Sequence, residues 1–204
     1  MRSSLRARPI LTTKLCSIPM LLALGAANAA EPTGQTVPDT FTAKTTAMTP
    51  SDSGLKIAVR SWSDDDARQA VLEALSSDSD TQTALRELPT VGYVWQSGTA
   101  VGYSLKYAYE AKTDKGERVT FVTDRAIGSF GLTPWTLEGS GAVASPYSVI
   151  ELYLDGDDAG TGNLSLAADL KLDTSDSTVS LTPKAGVTPV LKDAKREPKP
   201  YWAK

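Results

Sequence analysis

Hydrophobic and polar residues alternate most clearly from Val101 to Asp124. Val101, Tyr103, Leu105, Tyr107 and Tyr109 fall on one face of a predicted strand, and Val119, Phe121 and Thr123 on one face of a second. Strand side chains point alternately to opposite sides, so each set shares a surface. The polar connector Lys112–Gly116 carries turn chemistry in Asp114 and Gly116, which predicts a hairpin. Val122 is the one apolar residue on the opposite face of the second strand.

The same period of two recurs elsewhere. Phe41 to Met48 and Leu55 to Trp62 predict an N-terminal hairpin around the turn Pro50–Gly54. Val91 to Trp95, Tyr147 to Asp155, Asn163 to Asp173 and Thr178 to Thr182 read as further strands. Ile150, Leu152 and Leu154 face one way, as do Leu164, Leu166, Ala168, Leu170 and Leu172, while the opposite positions are mostly polar. That predicts an antiparallel sheet with one wet face. Val187 to Leu191 reads as an edge strand blunted by Pro189.

Between residues 64 and 88 the period changes. Ala67, Ala70, Val71, Ala74 and Leu75 recur at three-and-four spacing, behind Ser63 as N-cap and three aspartates in the first turn. Thr81 to Leu88 forms a second short helix stopped by Pro89. The expected architecture is mainly β or α+β: a twisted antiparallel sheet forming a sandwich or partial barrel, with this helical hairpin packed on it.

The first 29 residues read as a secretory signal. Arg2, Arg6, Arg8 and Lys14 precede the apolar stretch Leu15 to Ala26, and Ala27-Asn28-Ala29 is a small-x-small cleavage site. The stretch is shorter than the ~20 residues of a membrane-spanning helix. Cleavage would leave Ala30 to Lys204: an Ala30–Thr40 leader rich in proline and glycine, a single domain over 41–191, and a charged, proline-rich tail from Lys192 to Lys204. The expected location is the periplasm or the exterior, with no membrane span after cleavage.

Charge and composition then narrow the chemistry. The full chain has 21 basic and 24 acidic residues. Removing the signal leaves 21 − 4 = 17 basic residues against 24 acidic ones, net −7. No basic cluster is available for a nucleic-acid backbone. There is no histidine, and the single cysteine, Cys16, lies in the signal. A Ser-His-Asp triad, a Cys-His pair, a histidine-ligated haem and ordinary zinc sites are therefore excluded. No glycine-rich segment has dinucleotide-binding spacing, so no cofactor is expected.

Carboxylates, tyrosine, lysine and serine remain. Glu151 and Asp169, on strands read as adjacent, are a carboxylate pair that could do acid–base work, but both fall on the face read as wet. Asp155 to Asn163 has part of a calcium-loop pattern. However, Ala159 and Leu166 stand where ligands belong, so it reads as a hairpin connection. Ala126 to Pro146 is the least regular segment, with four glycines around Phe130, Leu132 and Trp135. Irregular stretches this long inside a domain are often functional. Asp124-Arg125, where a strand enters that segment, and the aromatics Tyr103, Tyr107 and Trp135 make up the candidate ligand-binding set.

Several motifs carry a resemblance. Trp62-Ser63, Leu88-Pro89-x-Val91-Gly92 and Val101-Gly102-Tyr103-x-Leu105-x-Tyr107-Ala108 are the first three. They continue with Thr123-Asp124-Arg125-x-Ile127-Gly128, Ser148-x-Ile150-Glu151-Leu152-x-Leu154-Asp155 and Gly160-x-Gly162-x-Leu164-Ser165. Over most of residues 41–191 the chain resembles a group of uncharacterised exported bacterial proteins, a domain of unknown function. The resemblance implies a shared fold and transfers no catalytic residue.

Three functional readings follow. The first is a non-enzymatic exported module that binds a small ligand or an envelope partner through the loops near Asp124 to Trp135. The second is a carboxylate-based hydrolase or lyase, and the third a structural envelope component.

Overall fold

In the computed structural model, residues 38–45, 48–49, 53–76, 80–130, 135–137, 145–183 and 191–199 are described. The chain runs β1 (Asp39–Thr45), β2 (Met48–Thr49), β3 (Ser53–Val59), α1 (Asp65–Ser76), α2 (Thr81–Glu87), β4 (Gly92–Gln96), β5 (Gly102–Thr113) and β6 (Gly116–Thr123). It continues with β7 (Thr136–Leu137), β8 (Val149–Leu154), β9 (Ala159–Leu164), a 3-10 turn at Ser165–Ala167, β10 (Ala168–Asp173), β11 (Thr178–Pro183) and β12 (Leu191–Glu197). The signal, most of the leader, residues 187–190 of the expected edge strand and the end of the tail lie outside the described residues.

Eight strands close into an antiparallel barrel in the order β1-β3-β4-β5-β6-β8-β9-β12, with β12 returning to β1. Every barrel strand pairs with the next one along the chain, and the remaining elements are insertions between neighbours. The fold is therefore mainly β, as expected, but it is a closed barrel rather than a sandwich. The closing strand also corrects the C-terminal expectation, because Leu191–Glu197 is a barrel strand where a tail from Lys192 was expected. Its composition hid it. Only Leu191 and Ala194 are buried apolar positions, and Asp193 sits at φ 49 where the register with β1 shifts.

The alternation read from the sequence becomes inside and outside. Phe41, Ile57, Val94, Tyr103, Leu105, Phe121, Ile150, Leu152 and Leu164 are buried in one continuous cluster that fills the barrel. An eight-stranded barrel has room for about this much side chain. Close strand approach is bought with glycine: a Cβ on Gly162 would lie 2.5 Å from the Glu151 carbonyl oxygen and 2.8 Å from Leu152 Cδ2. Arg196 seals one end of the lumen. Its Nη2 donates to Glu110 (2.8 Å) and Glu117 (2.7 Å), and its guanidinium lies 5.1 Å from the Phe41 ring centroid. Burial by itself would lower the Arg196 pKa, but Glu110, Glu117 and Asp158 together hold it above its ordinary value.

A second apolar layer lies outside the wall. Val71, Leu72 and Leu85 of the helices meet Tyr107, Val122 and Val149 of the barrel and Ala168, Val179 and Leu181 of the β10–β11 hairpin. The hairpin arises because the strand expected over Asn163–Asp173 is broken at Ser165–Ala167. The break sends β10 out of the barrel to pair with β11 alone.

The central hairpin is present, but its face assignment changes. The β5–β6 register shifts between Leu105 and Tyr107, where Leu105 faces Thr123 and Tyr107 faces Val122. The extra residue is Lys106. A bulge of one residue reverses inside and outside. Tyr103 and Leu105 therefore point into the barrel, whereas Tyr107 and Tyr109 belong to the outer layer. Ser63 also departs from its expected role. Asp64 caps α1 by accepting from Ala67 N (2.9 Å), while Ser63 Oγ accepts from Ala108 N (3.0 Å) and its N–H donates to Ala108 O (2.9 Å).

Candidate functional site

The five candidate residues fall in three places. Tyr103 is fully buried in the lumen, and its hydroxyl accepts from Gly128 N (2.9 Å) and Phe130 N (3.3 Å). Trp135 is 3 % exposed and joins the same cluster. Tyr107 lies on the other side of the wall, where burial, opposed by the Val179 backbone and Arg68, pushes its phenol up to about 12. Asp124 and Arg125 stand at the end of β6. Tyr103, Asp124 and Arg125 thus meet at one rim of the barrel, and Tyr107 does not join them.

That rim is built from the end of β6 outward. Thr123 Oγ1 donates to Arg125 O (2.7 Å) and accepts from Ser148 N (2.8 Å). Ser148 Oγ accepts from Ile127 N (3.0 Å), and Gly128 supplies the left-handed φ of 91° that turns the chain. Buried Asp124 donates its N–H to Ser104 O (3.1 Å) and holds Arg125 through Nε–Oδ1 (3.3 Å) and Nη2–Oδ2 (3.2 Å). The Arg125 guanidinium lies 4.9 Å from the centroid of Phe130, whose ring is 4.8 Å from that of Tyr103. The guanidinium is thereby fixed in plane and position. Phe130 nevertheless remains 44 % exposed, one of three large apolar residues left so open among the described residues.

A cleft of about 390 Å³ opens beside this stack, lined by Gln82, Arg86, Arg125, Ala126, Ser129, Phe130, Ser145 and Pro146. Its far wall is α2, and Lys106 positions that helix. The bulged Lys106 Nζ donates to Leu88 O (2.7 Å), Arg86 O (3.2 Å) and Thr90 Oγ1 (3.1 Å). Burial lowers the Lys106 pKa; Asp124 opposes that shift and Arg125 adds to it.

A larger cleft, about 640 Å³, lies between α1, the outer face of β5–β6 and the β10–β11 hairpin. Arg68, Arg118 and Lys171 line it together with Asp65, Asp173 and Asp176. Arg68 pairs with Asp65, donates to Asp176 O (3.0 Å) and lies 4.4 Å from the Tyr109 ring centroid. Its three cations are matched in number by three carboxylates, and Arg68 is engaged by Asp65.

Glu151 sits nearby on the outer face of β8, and there the wet-face expectation fails. Its side chain is fully buried beneath β11. Oε2 accepts from Leu181 N (3.2 Å) and the Tyr153 hydroxyl (2.5 Å), and Oε1 lies 3.5 Å from Arg118 Nε. Burial raises its pKa, with Tyr153, Leu181 and Arg118 opposing. Asp169 is exposed on β10, and neither carboxylate lines the cleft. Their strands are not neighbours, so the pairing that made them a candidate couple is absent.

Asp155 Oδ1 accepts from Asp157 N (2.9 Å) and Ala159 N (3.2 Å), closing the β8–β9 turn. Among the described residues no group of three or more His, Cys, Asp or Glu is arranged to hold a metal, and no helix is long and apolar enough to cross a membrane. Compared with family models, curated proteins and solved structures, the chain matches none. Sequence reasoning passed over Phe130, Arg86 and Lys106 as site residues. Lys106 between Leu105 and Tyr107 fits unbroken alternation, so the bulge left no local signal in the sequence.

Proposed function

We propose that this chain is an exported, non-enzymatic binding module that holds its ligand at the barrel rim formed by Asp124, Arg125, Phe130 and Tyr103. Export rests on the N-terminal signal pattern, and membership of an uncharacterised exported group rests on the motif resemblance. The observation that carries the reading is the Arg125 guanidinium, buttressed by Asp124 and stacked on an exposed aromatic ring at the wall of a cleft. Surface arginines ordinarily keep their rotamer freedom, and fixing one costs conformational entropy. Such pre-organisation lowers the cost of binding. The lumen is packed with side chains, so a ligand belongs at the rim rather than inside.

The carboxylate-enzyme alternative would require Glu151 to meet a substrate. Its carboxyl is sealed beneath β11, with one oxygen engaged by Leu181 and Tyr153. Native mass spectrometry of the protein released gently from the cell envelope, compared with protein refolded from denaturant, tests the binding reading. A discrete extra mass lost on refolding is expected. Identical bare masses in both samples would overturn a tightly held ligand.

A further inference from the structure

We infer that the rim cleft selects a small organic anion: a carboxylate set between Arg125 and Arg86, joined to a flat apolar body lying against Ala126, Phe130 and Pro146. The inference rests on the binding-module reading and adds the ligand's chemistry to it.

Charge is the first support. Arg125 and Arg86 line the same cleft of about 390 Å³, and no carboxylate is among the described residues that line it. Lys106 stands behind α2 and adds a third positive charge, while the buried Asp124 supplies one negative charge already engaged by Arg125. Burial is the main reason the Lys106 pKa is lowered; Asp124 opposes that shift, and Arg125 adds to it as a like charge within reach. This concentration sits in a protein of net charge −3. The larger cleft, by contrast, matches its three cations with three carboxylates.

Unused donors are the second support. Asp124 engages Nε and Nη2 of Arg125, and Nη1 has no partner among the described residues. The Arg86 guanidinium makes no hydrogen bond or ion pair among the described residues, although its charge is felt by Asp80 at the start of α2. A cation in the last helical turn commonly complements exposed carbonyls. Here Lys106 already donates to Arg86 O and Leu88 O, so the Arg86 guanidinium is not needed there. The Ser129 hydroxyl adds a neutral donor to the lining.

Shape is the third support. A bare inorganic anion would engage the arginines and leave the Ala126, Phe130 and Pro146 side of the cleft wet. A carboxylate with a flat apolar body satisfies both sides. The volume is at the small end of ligand sites, which are about 300–1,000 Å³.

The test is a nuclear magnetic resonance titration of the purified protein with benzoate, its neutral isostere benzamide and inorganic phosphate, in low salt. The readouts are the Gly128 and Phe130 amides and the Arg125 Nε–H. Benzoate is expected to give saturable shifts at all three, with benzamide and phosphate each about tenfold weaker or more. Arg86→Gln lies on the exposed face of α2, so it should preserve the spectrum and weaken benzoate by about tenfold. Equal binding of benzamide would overturn the carboxylate. Equal binding of phosphate would overturn the apolar body. No saturable response to benzoate, or an unchanged affinity in Arg86→Gln, would overturn the assignment altogether. A co-purifying mass that proves neutral would sink the anion while leaving the binding module intact; no mass and no benzoate response would sink both.

Discussion

The two faces of the barrel wall are built on different principles. Inside, apolar side chains interlock and polar contacts are concentrated at the rims, where Arg196 closes one end and the Tyr103 hydroxyl anchors the loop at the other. Outside, each covering element is pinned by one buried polar group. Lys106 fastens the end of α2, Ser63 ties the approach to α1 to Ala108, and Glu151 holds β11. A second tie runs between the covering elements, from Arg68 to Asp176 O. Apolar contact alone lets a helix or hairpin slide along a wall. A buried donor that must find its acceptor does not, because leaving it unpaired costs about 1–3 kcal/mol. The lumen gains stability from volume, and the outer layer gains its arrangement from hydrogen bonds.

The sharpest break of this contrast is Phe121→Ala. Phe121 is fully buried in the lumen and lies 5.5 Å from Phe41, ring centroid to centroid. Its truncation should cost about 3–5 kcal/mol across the whole molecule, read as a lower urea midpoint at unchanged slope. Lys106→Met should cost less, about 1–3 kcal/mol, and unevenly. Hydrogen exchange should quicken in α2 while the amides of β6 and β8 stay protected. Uniform loss of protection would mean that Lys106 supports the barrel as a whole rather than one covering element.

The smallest effect concerns Glu151, and its sign depends on pH. A carboxyl raised in the folded state holds its proton more firmly there than in the unfolded chain. Below an ordinary glutamate value of about 4.3 both states are protonated and the group costs nothing. As pH rises the unfolded state ionises first, and stability drains away until pH passes the raised folded value. Glu151→Gln removes that loss, so wild-type stability relative to the variant should fall as pH rises above about 4.3 and level off once pH passes the raised folded value. Urea midpoints of both proteins across that range decide it. A flat or rising difference would show that Arg118, Tyr153 and Leu181 outweigh burial.

How much of this was legible in the sequence follows the same division. The lumen was readable, because Val119, Phe121, Ile150, Leu152 and Leu154 alternate as a half-buried strand must. Parity was lost at Lys106, where one inserted residue turned Tyr107 away from Tyr103. Closure was not readable from β12. Its inward arginine is compensated by Glu110 and Glu117, about 80 residues earlier in the chain, and no local pattern records such a partner. Glu151 was misplaced for a related reason: an outward residue is wet only if nothing folds over it, and β11 does. At the rim, Asp124 and Arg125 stood out as a charged pair where a strand meets an irregular segment. Arg86 did not, because only the packing of α2 brings it there.

Barrel closure also has a consequence in time. β1 pairs with β12, and Thr42 Oγ1 donates to Glu197 Oε1 at 2.9 Å across a separation of 155 residues. Contacts between such distant residues carry a loop-closure cost before they return any stability. Until β12 docks, the folding chain therefore has seven of its eight barrel strands and two unpaired edges. It stays open until the last strand is made, and a truncation before Leu191 should leave both edges free to pair with another chain.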